Sequence, residues 1–366
     1  MLQASPSSID QFPAFLARIP SRIDIEALAR ETKAFLRPRG VRSGTDLLRL
    51  ALAWGPGGYS MQYVAAWAGE HGIAKLTEEA LSQRLHGSVD FLEELSRRLL
   101  AEVGQSPCWH GRSLRISDAT SLSGPASKGT DWKVHGVYDL GLGRFTHLEV
   151  TDKHGGEALD RGEPVAGEIR IGDRGYANAP AWQRFIEAGG EGTDFIVRMR
   201  WNTVRMVDKA AKSFDIIGWL KGLPGETKTH ETTVWAVSGK QAPIKIRLIA
   251  WRKPPEAAEA AKQHLRRQAS RKQTQLDERS EIAAEYVIVA TSLGADYPAE
   301  EVLAVYRLRW QIELAFKRLK SLLHMDKVRT KTEAGTRCLL YAHLIVALLG
   351  DDFSQDVLES FPSGPH

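Results

Sequence analysis

The chain has 366 residues, 43% hydrophobic and 26% charged, with 49 Lys+Arg against 45 Asp+Glu for a formal net charge of +4. At roughly 150 residues per domain this length predicts about two or three domains with at least one large buried core. The balanced composition excludes disordered, collagen-like and disulfide-scaffold chains. Cys108 and Cys338 lie far apart, fit no metal-ligand spacing and read as reduced thiols. The longest apolar stretch, Cys338 to Leu349, is too short to span a bilayer and reads as a buried helix. The N-terminus lacks the basic start and apolar run of a signal peptide, so a cytoplasmic protein without membrane contact is expected.

Residues 1–105 read as a helical domain, because three segments starting near Thr45, Ser60 and Thr77 carry apolar residues at three- and four-residue spacing. Ser60 and Thr77 are candidate N-caps, and Glu78 and Glu79 place acid in a first turn. A helix-turn-helix DNA reader with Ser82, Gln83, Arg84 and His86 on its second helix and a plain helical bundle both fit this pattern. From about residue 112 short alternating strands follow, with a hairpin turn at Leu140–Gly143, and then a strand–helix–strand unit from GEIRIGDRGY to DFIVRMRW. This predicts an α/β sheet with helices on its faces. No phosphate-binding glycine loop or dinucleotide fingerprint occurs. Residues 202–295 read as a β-rich insertion, and its cationic run (Lys262, Arg266, Arg267, Arg271, Lys272) as a solvated helix face or a phosphate contact. Two long helices are predicted over 298–323 and 333–349.

Two aspartates have matching surroundings. Leu114 and Ile116 precede Asp118 by four and two residues, as Ile169 and Ile171 precede Asp173. Residues two apart share one face of a strand, so each aspartate continues an apolar face at a strand's C-terminal end. A carboxylate there is either simply a turn or cap residue or needs a neutralising cation, and two side by side need one more strongly. On a wheel of 100° per residue, Arg309, Glu313 and Lys320 fall within about 60° of Tyr306, beside an apolar stripe containing Ile312, Phe316 and Leu319. A surface helix with an Arg309–Glu313 ion pair would explain two of those four residues. Two strand-end aspartates and a helical glutamate suit hard divalent cations, Mg2+ or Mn2+, in two-metal phosphoryl transfer.

These residues carry a resemblance. DAT at 118–120, GDRGY at 172–176 and the Tyr-x2-Arg-x3-Glu-x6-Lys string at Tyr306, Arg309, Glu313 and Lys320 resemble the DDE insertion-sequence transposases of the IS-four group, over roughly residues 45–350. The resemblance implies an α/β fold with a ribonuclease-H-like catalytic core over 106–201 and 296–350. The β-rich insertion over 202–295 would interrupt that core, residues 1–105 would bind the DNA ends, and 351–366 would be a tail. It implies that Asp118, Asp173 and Glu313 hold two metal ions and perform catalysis. Tyr306, Arg309 and Lys320 would grip double-stranded DNA at the cleaved end. Arg198, Arg200 and Lys317 are further candidate DNA contacts, and Trp201 a candidate support for a flipped base. The implied chemistry is cut-and-paste transposition at terminal inverted repeats by a homodimeric synaptic complex, although the short tail leaves little room for a separate dimerisation domain. A nuclease of the same fold without strand transfer and a domesticated DNA-binding protein are the alternatives.

The charge is uneven. Tyr306–Lys331 holds eight cations against Glu313 and Asp326, a local +6 that exceeds the whole chain's excess. This strip is where DNA is expected to lie.

Overall fold

In the computed structural model, residues 12–101, 108–127, 129–239, 241–323 and 328–349 are described. The expected tail 351–366, the 105/106 boundary, Asp326 and Lys327 lie outside these residues, as does the side chain of Arg318.

The N-terminal part is helical, as its periodicity requires: α1 (Phe12–Leu16), α2 (Ile25–Glu31), α3 (Gly44–Trp54), α4 (Met61–Glu70), α5 (Glu78–His86) and α6 (Val89–Leu100). Both predicted caps form, with Ser60 Oγ accepting from Tyr63 N at 3.1 Å and Thr77 Oγ1 from Ala80 N at 3.2 Å. The segment after Thr77 is two helices rather than one. It breaks at Gly87, whose N–H closes α5 on Gln83 O, and Ser88 then caps back on Leu85 O through its hydroxyl. Between α4 and α5 run His71–Thr77, longer than the three- or four-residue turn of a helix-turn-helix. Of the four candidate reading residues, Arg84 donates to Arg39 O and His86 faces Thr332 Oγ1 at 3.5 Å, so both are engaged with the scaffold.

Nine strands form one mixed sheet among the described residues, in the order β3-β2-β1-β4-β5-β9-β8-β7-β6. They are β1 (Leu114–Leu122), β2 (Trp132–Asp139), β3 (Arg144–Asp152), β4 (Ile169–Gly172), β5 (Asp194–Arg198), β6 (Met206–Val207), β7 (Thr229–Ala236), β8 (Ile244–Arg252) and β9 (Tyr286–Thr291). β1, β4 and β5 run parallel; the other neighbours pair antiparallel, and α7 (Ala179–Gly189) connects β4 to β5. The stretch read as an insertion is therefore continuous with the same sheet, because β9 pairs with β5 as well as β8. It carries α8 (Ile216–Lys221), α9 (Pro255–Lys272) and α10 (Glu278–Ala284).

Side-chain alternation builds a core on each face. On β5, Ile196 joins Leu114, Ile116, Ile169 and Ile171 on one side, while Phe195 and Val197 join Trp182 and Phe185 of α7 on the other. The first core also holds the N-terminal helices and α13 (Glu333–Leu349), a helix buried along most of its length between α3, α5, α6 and β3. No helix among the described residues is long and apolar enough to cross a membrane.

The predicted helix over 298–323 is instead α11 (Ala299–Arg307) and α12 (Trp310–Leu323). No glycine or proline interrupts it. Backbone bonds shift to the tighter three-residue step at this point: Leu308 N to Val305 O, Arg309 N to Tyr306 O and Gln311 N to Leu308 O, at 3.0–3.1 Å. α12 buries Ile312, Ala315, Phe316 and Leu319 in the first core and lies against β1. Gly136 of β2, paired opposite Asp118, admits this approach: a Cβ there would lie 2.8 Å from the rings of both Phe145 and Phe316. Gly136→Ala should therefore cost about 1–3 kcal/mol of overpacking, read by urea denaturation, and displace α12 from the carboxylates.

Candidate active site

The parallel register of β1 on β4 decides where the aspartates meet. Leu114 pairs with Ile169, Ile116 with Ile171 and Ser117 with Gly172, so the next step sets Asp118 beside Asp173 on the same face. Asp118 Oδ1 accepts from Ala119 N at 2.8 Å. Asp173 starts a single 3₁₀ turn, Arg174–Tyr176, with Oδ1 accepting from Gly175 N at 2.7 Å. The third carboxylate comes from the first turn of α12. Arg309, in the break between the helices, donates to Glu313 Oε1 at 2.5 Å and to Asp118 Oδ2 at 3.4 Å, so one guanidinium bridges the strand and the helix.

Burial pushes the Asp118 carboxyl up to about 6. The Ala119 N–H and Arg309 pull it back, while the charges of Asp173 and Glu313 push it further. Three like charges are thus near enough to feel one another, with one arginine offsetting them. Tyr306, predicted on the same stripe, has its ring in the core rather than free to stack. Burial raises its phenol, and Arg198, Arg309 and Asp173 are the charges around it. Lys320 Nζ donates to Ser121 O at 2.8 Å on β1, beyond Asp118, and Lys317 is exposed.

On the other side of Asp173 a cavity of about 450 Å³ is lined by Arg174, Arg198, Arg200, Lys253 and Lys272, and by no carboxylate. Burial and then the charges of Arg198 and Arg174 push the Lys253 amine down to about 8. Trp201 also lines this cavity, but Arg279 covers one of its faces at 4.4 Å and its Nε1 donates to Ser280 Oγ.

Comparisons with known proteins give the family of the chain. Residues 109–349 match the family model described as a transposase DDE domain. The chain belongs to the DDE transposase family. It is 40% identical over 97% of its length to InsL, the transposase of insertion sequence element IS186A in Escherichia coli K12, covering 96% of that protein. The transposase of IS421 from Escherichia coli gives the same identity and coverage. Among solved structures, a piggyBac transposase synaptic complex with hairpin DNA aligns with a TM-score of 0.46 at 9% identity, covering 97% of this chain and 76% of that one.

A DDE transposase depends on divalent metal, and the carboxylate oxygens of Asp118, Asp173 and Glu313 are of the chemistry that a hard cation takes. Among the described residues no group of three or more His, Cys, Asp or Glu stands close enough to hold a metal ion, and Glu313, 56% exposed, is paired with Arg309.

The transposase also redistributes the basic strip. Arg329 donates to the carbonyls of Trp54, Gly55 and Gly58, and so fastens the chain before α13 to the end of α3. In the cationic run of α9, Lys262 pairs with Glu285 and Arg266 with Glu281, each at 2.6 Å, while Lys272 lines the cavity. Arg174 and Lys253 escaped the sequence reading. Arg174 had a signal, its place inside GDRGY; Lys253 had none.

Proposed function

We propose that the transposase cuts DNA at transposon ends and joins the freed 3′-hydroxyl to target DNA, with Asp118, Asp173 and Glu313 as its metal-binding catalytic residues. The register that sets Asp118 beside Asp173, with Arg309 linking Asp118 to Glu313, carries the reading. The order β3-β2-β1-β4-β5, with β1, β4 and β5 parallel, supports a ribonuclease-H-like core. The spacing of Tyr306, Arg309, Glu313 and Lys320 supports membership of the IS-four group.

The three carboxylates would hold two Mg2+ or Mn2+ ions, which when bound supply a Lewis acid for the attacking and for the leaving oxygen. Asp118 and Asp173 are fixed by strand register and by backbone N–H bonds, so their positions are set before substrate arrives. Glu313 would hold a metal in place of its bond to Arg309, and the guanidinium would then be available to bind a phosphate in two-pronged fashion. Lys320 and Lys317 extend the same edge along the DNA, with Tyr306 backing Arg309 from the core. Arg198 and Arg200 take phosphates on the opposite side. The helical residues N-terminal to β1 would recognise the terminal inverted repeats. Two ends per element call for two copies in one synaptic complex, acting on chromosomal DNA in the cytoplasm.

The test incubates the full chain with Mg2+, a linear duplex ending in the inverted repeat that flanks its gene, and a supercoiled target. Cleaved ends together with joined products are expected. Cleavage without joining would reduce the protein to a nuclease, and no cleavage would overturn the reading.

A further inference from the structure

Between β3 and β4 the chain forms a shelf over the turn that carries Asp173. Asp152 Oδ1 accepts from His154 N and Gly155 N to start it. Arg161 then ties Glu149, at 2.7 Å, to Gly156 O. Arg170, fully buried, donates to the carbonyls of Leu159, Arg161 and Gly162 at 2.9–3.0 Å. Leu159 is fully buried and reaches Gly172, where an added Cβ would lie 3.4 Å from its Cδ1. The shelf is therefore set by its own bonds, and it delivers one further carboxylate to the active centre.

That carboxylate is Glu157. Its Oε2 occupies the space where a side chain at Gly175 would begin, only 1.7 Å from an ideal Cβ there. Gly175 N is the donor that fixes Asp173 Oδ1. The charged partner of Glu157 among the described residues is Lys133 Nζ, distant at 3.7 Å, and that ammonium also donates to Gly155 O. Glu157 keeps 29% of its side chain exposed, so the core does not consume it. The buried phenol of Tyr176 is raised first by burial and then by Asp118, Glu157 and Asp173, so the three acids share one neighbourhood.

We propose that Glu157 is a positioning residue of this active centre: packed on Gly175, it steadies the Asp173 turn and adds negative potential that draws divalent cations to Asp118 and Asp173. The glycine is explained by the same contact. Any side chain at position 175 would expel the carboxylate, so GDRGY needs Gly175 for Glu157 as it needs Gly172 for the ring of Tyr176. Partners that orient metal ligands typically contribute about 10–100-fold to metal affinity or activity when removed.

The inference rests on the triad reading, so its test carries Asp173→Asn beside it. Mg2+ binding to the full chain without DNA is measured by calorimetry, and the half-saturating Mg2+ for cleavage is measured separately. Glu157→Gln keeps the volume and loses the charge; it should weaken Mg2+ binding about tenfold and raise the half-saturating concentration in step, with duplex affinity and melting temperature unchanged. Lys133→Met removes the opposing cation and should tighten Mg2+ binding. Unchanged Mg2+ affinity in Glu157→Gln, while Asp173→Asn loses it, would overturn the role of Glu157 alone. Unchanged affinity in Asp173→Asn would overturn the triad reading instead. A fall in melting temperature with unchanged Mg2+ affinity would make Glu157 a structural brace only and also overturn the proposal.

Discussion

Asp173→Asn is expected to abolish strand cleavage, by on the order of a thousandfold or more, while duplex binding and the melting temperature stay with the parent. The separation follows from two jobs done by one side chain. As a cap, Asp173 offers Oδ1 to the Gly175 N–H, and an asparagine carbonyl oxygen can accept the same bond. As the proposed metal ligand it would offer charge, and an amide offers none. The change also acts on its neighbour: Asp118 stands at about 6 through burial first, with Asp173 and Glu313 adding to it. Removing one like charge eases that repulsion but leaves burial in force, so Asp118 alone does not restore the cation site. Gel shift and single-turnover cleavage on the same preparation read the two jobs separately. Cleavage that survives would show that the second carboxylate lies elsewhere.

What the sequence could reveal of this centre depended on how local the signal was. Leu114-x-Ile116-x-Asp118 and Ile169-x-Ile171-x-Asp173 announce their faces because strand parity is a two-residue property, and the register then aligns the two patterns pair by pair. The helical glutamate was legible for the same reason, although one continuous helix was expected. Apolar periodicity runs through 308–309 unbroken, and the tightening there is a matter of backbone hydrogen bonds that no residue type signals. Pairing between distant strands left no such trace. Nothing near Tyr286–Thr291 says that β9 lies against β5, so the continuity of the β-rich stretch with the rest of the sheet was not legible. Charge counting does not tell which cations are already engaged: Arg329 belongs to the basic strip by position and spends its donors on three carbonyls of the helical part. Lys253 entered the site only through folding, which brings it to Arg174 and Arg198 from the far end of β8.

The largest stability loss is expected from Arg170→Met, about 3–5 kcal/mol by urea denaturation, a large part of the total of a typical domain. Arg170 shares a buried four-charge group with Glu168, Arg115 and Asp139. Glu168 Oε1 lies 2.5 Å from Arg170, Glu168 Oε2 3.2 Å from Arg115, and Arg115 Nε 3.0 Å from Asp139 Oδ2. Two positive and two negative side chains cancel, so removing one guanidinium leaves a buried carboxylate short of a partner. The same guanidinium lies 4.8 Å over the Phe185 ring and holds three carbonyls of the shelf that carries Glu157. Methionine can fill the apolar contact but cannot hold the carbonyls. The double change Arg170→Met with Glu168→Gln should therefore recover part of the loss, since the stranded charge goes with its partner. The recovery should be incomplete, because the shelf remains untied, and the half-saturating Mg2+ for cleavage should stay elevated in both variants. Full recovery of stability would assign the whole cost to the stranded charge and remove Arg170 from the support of the active centre.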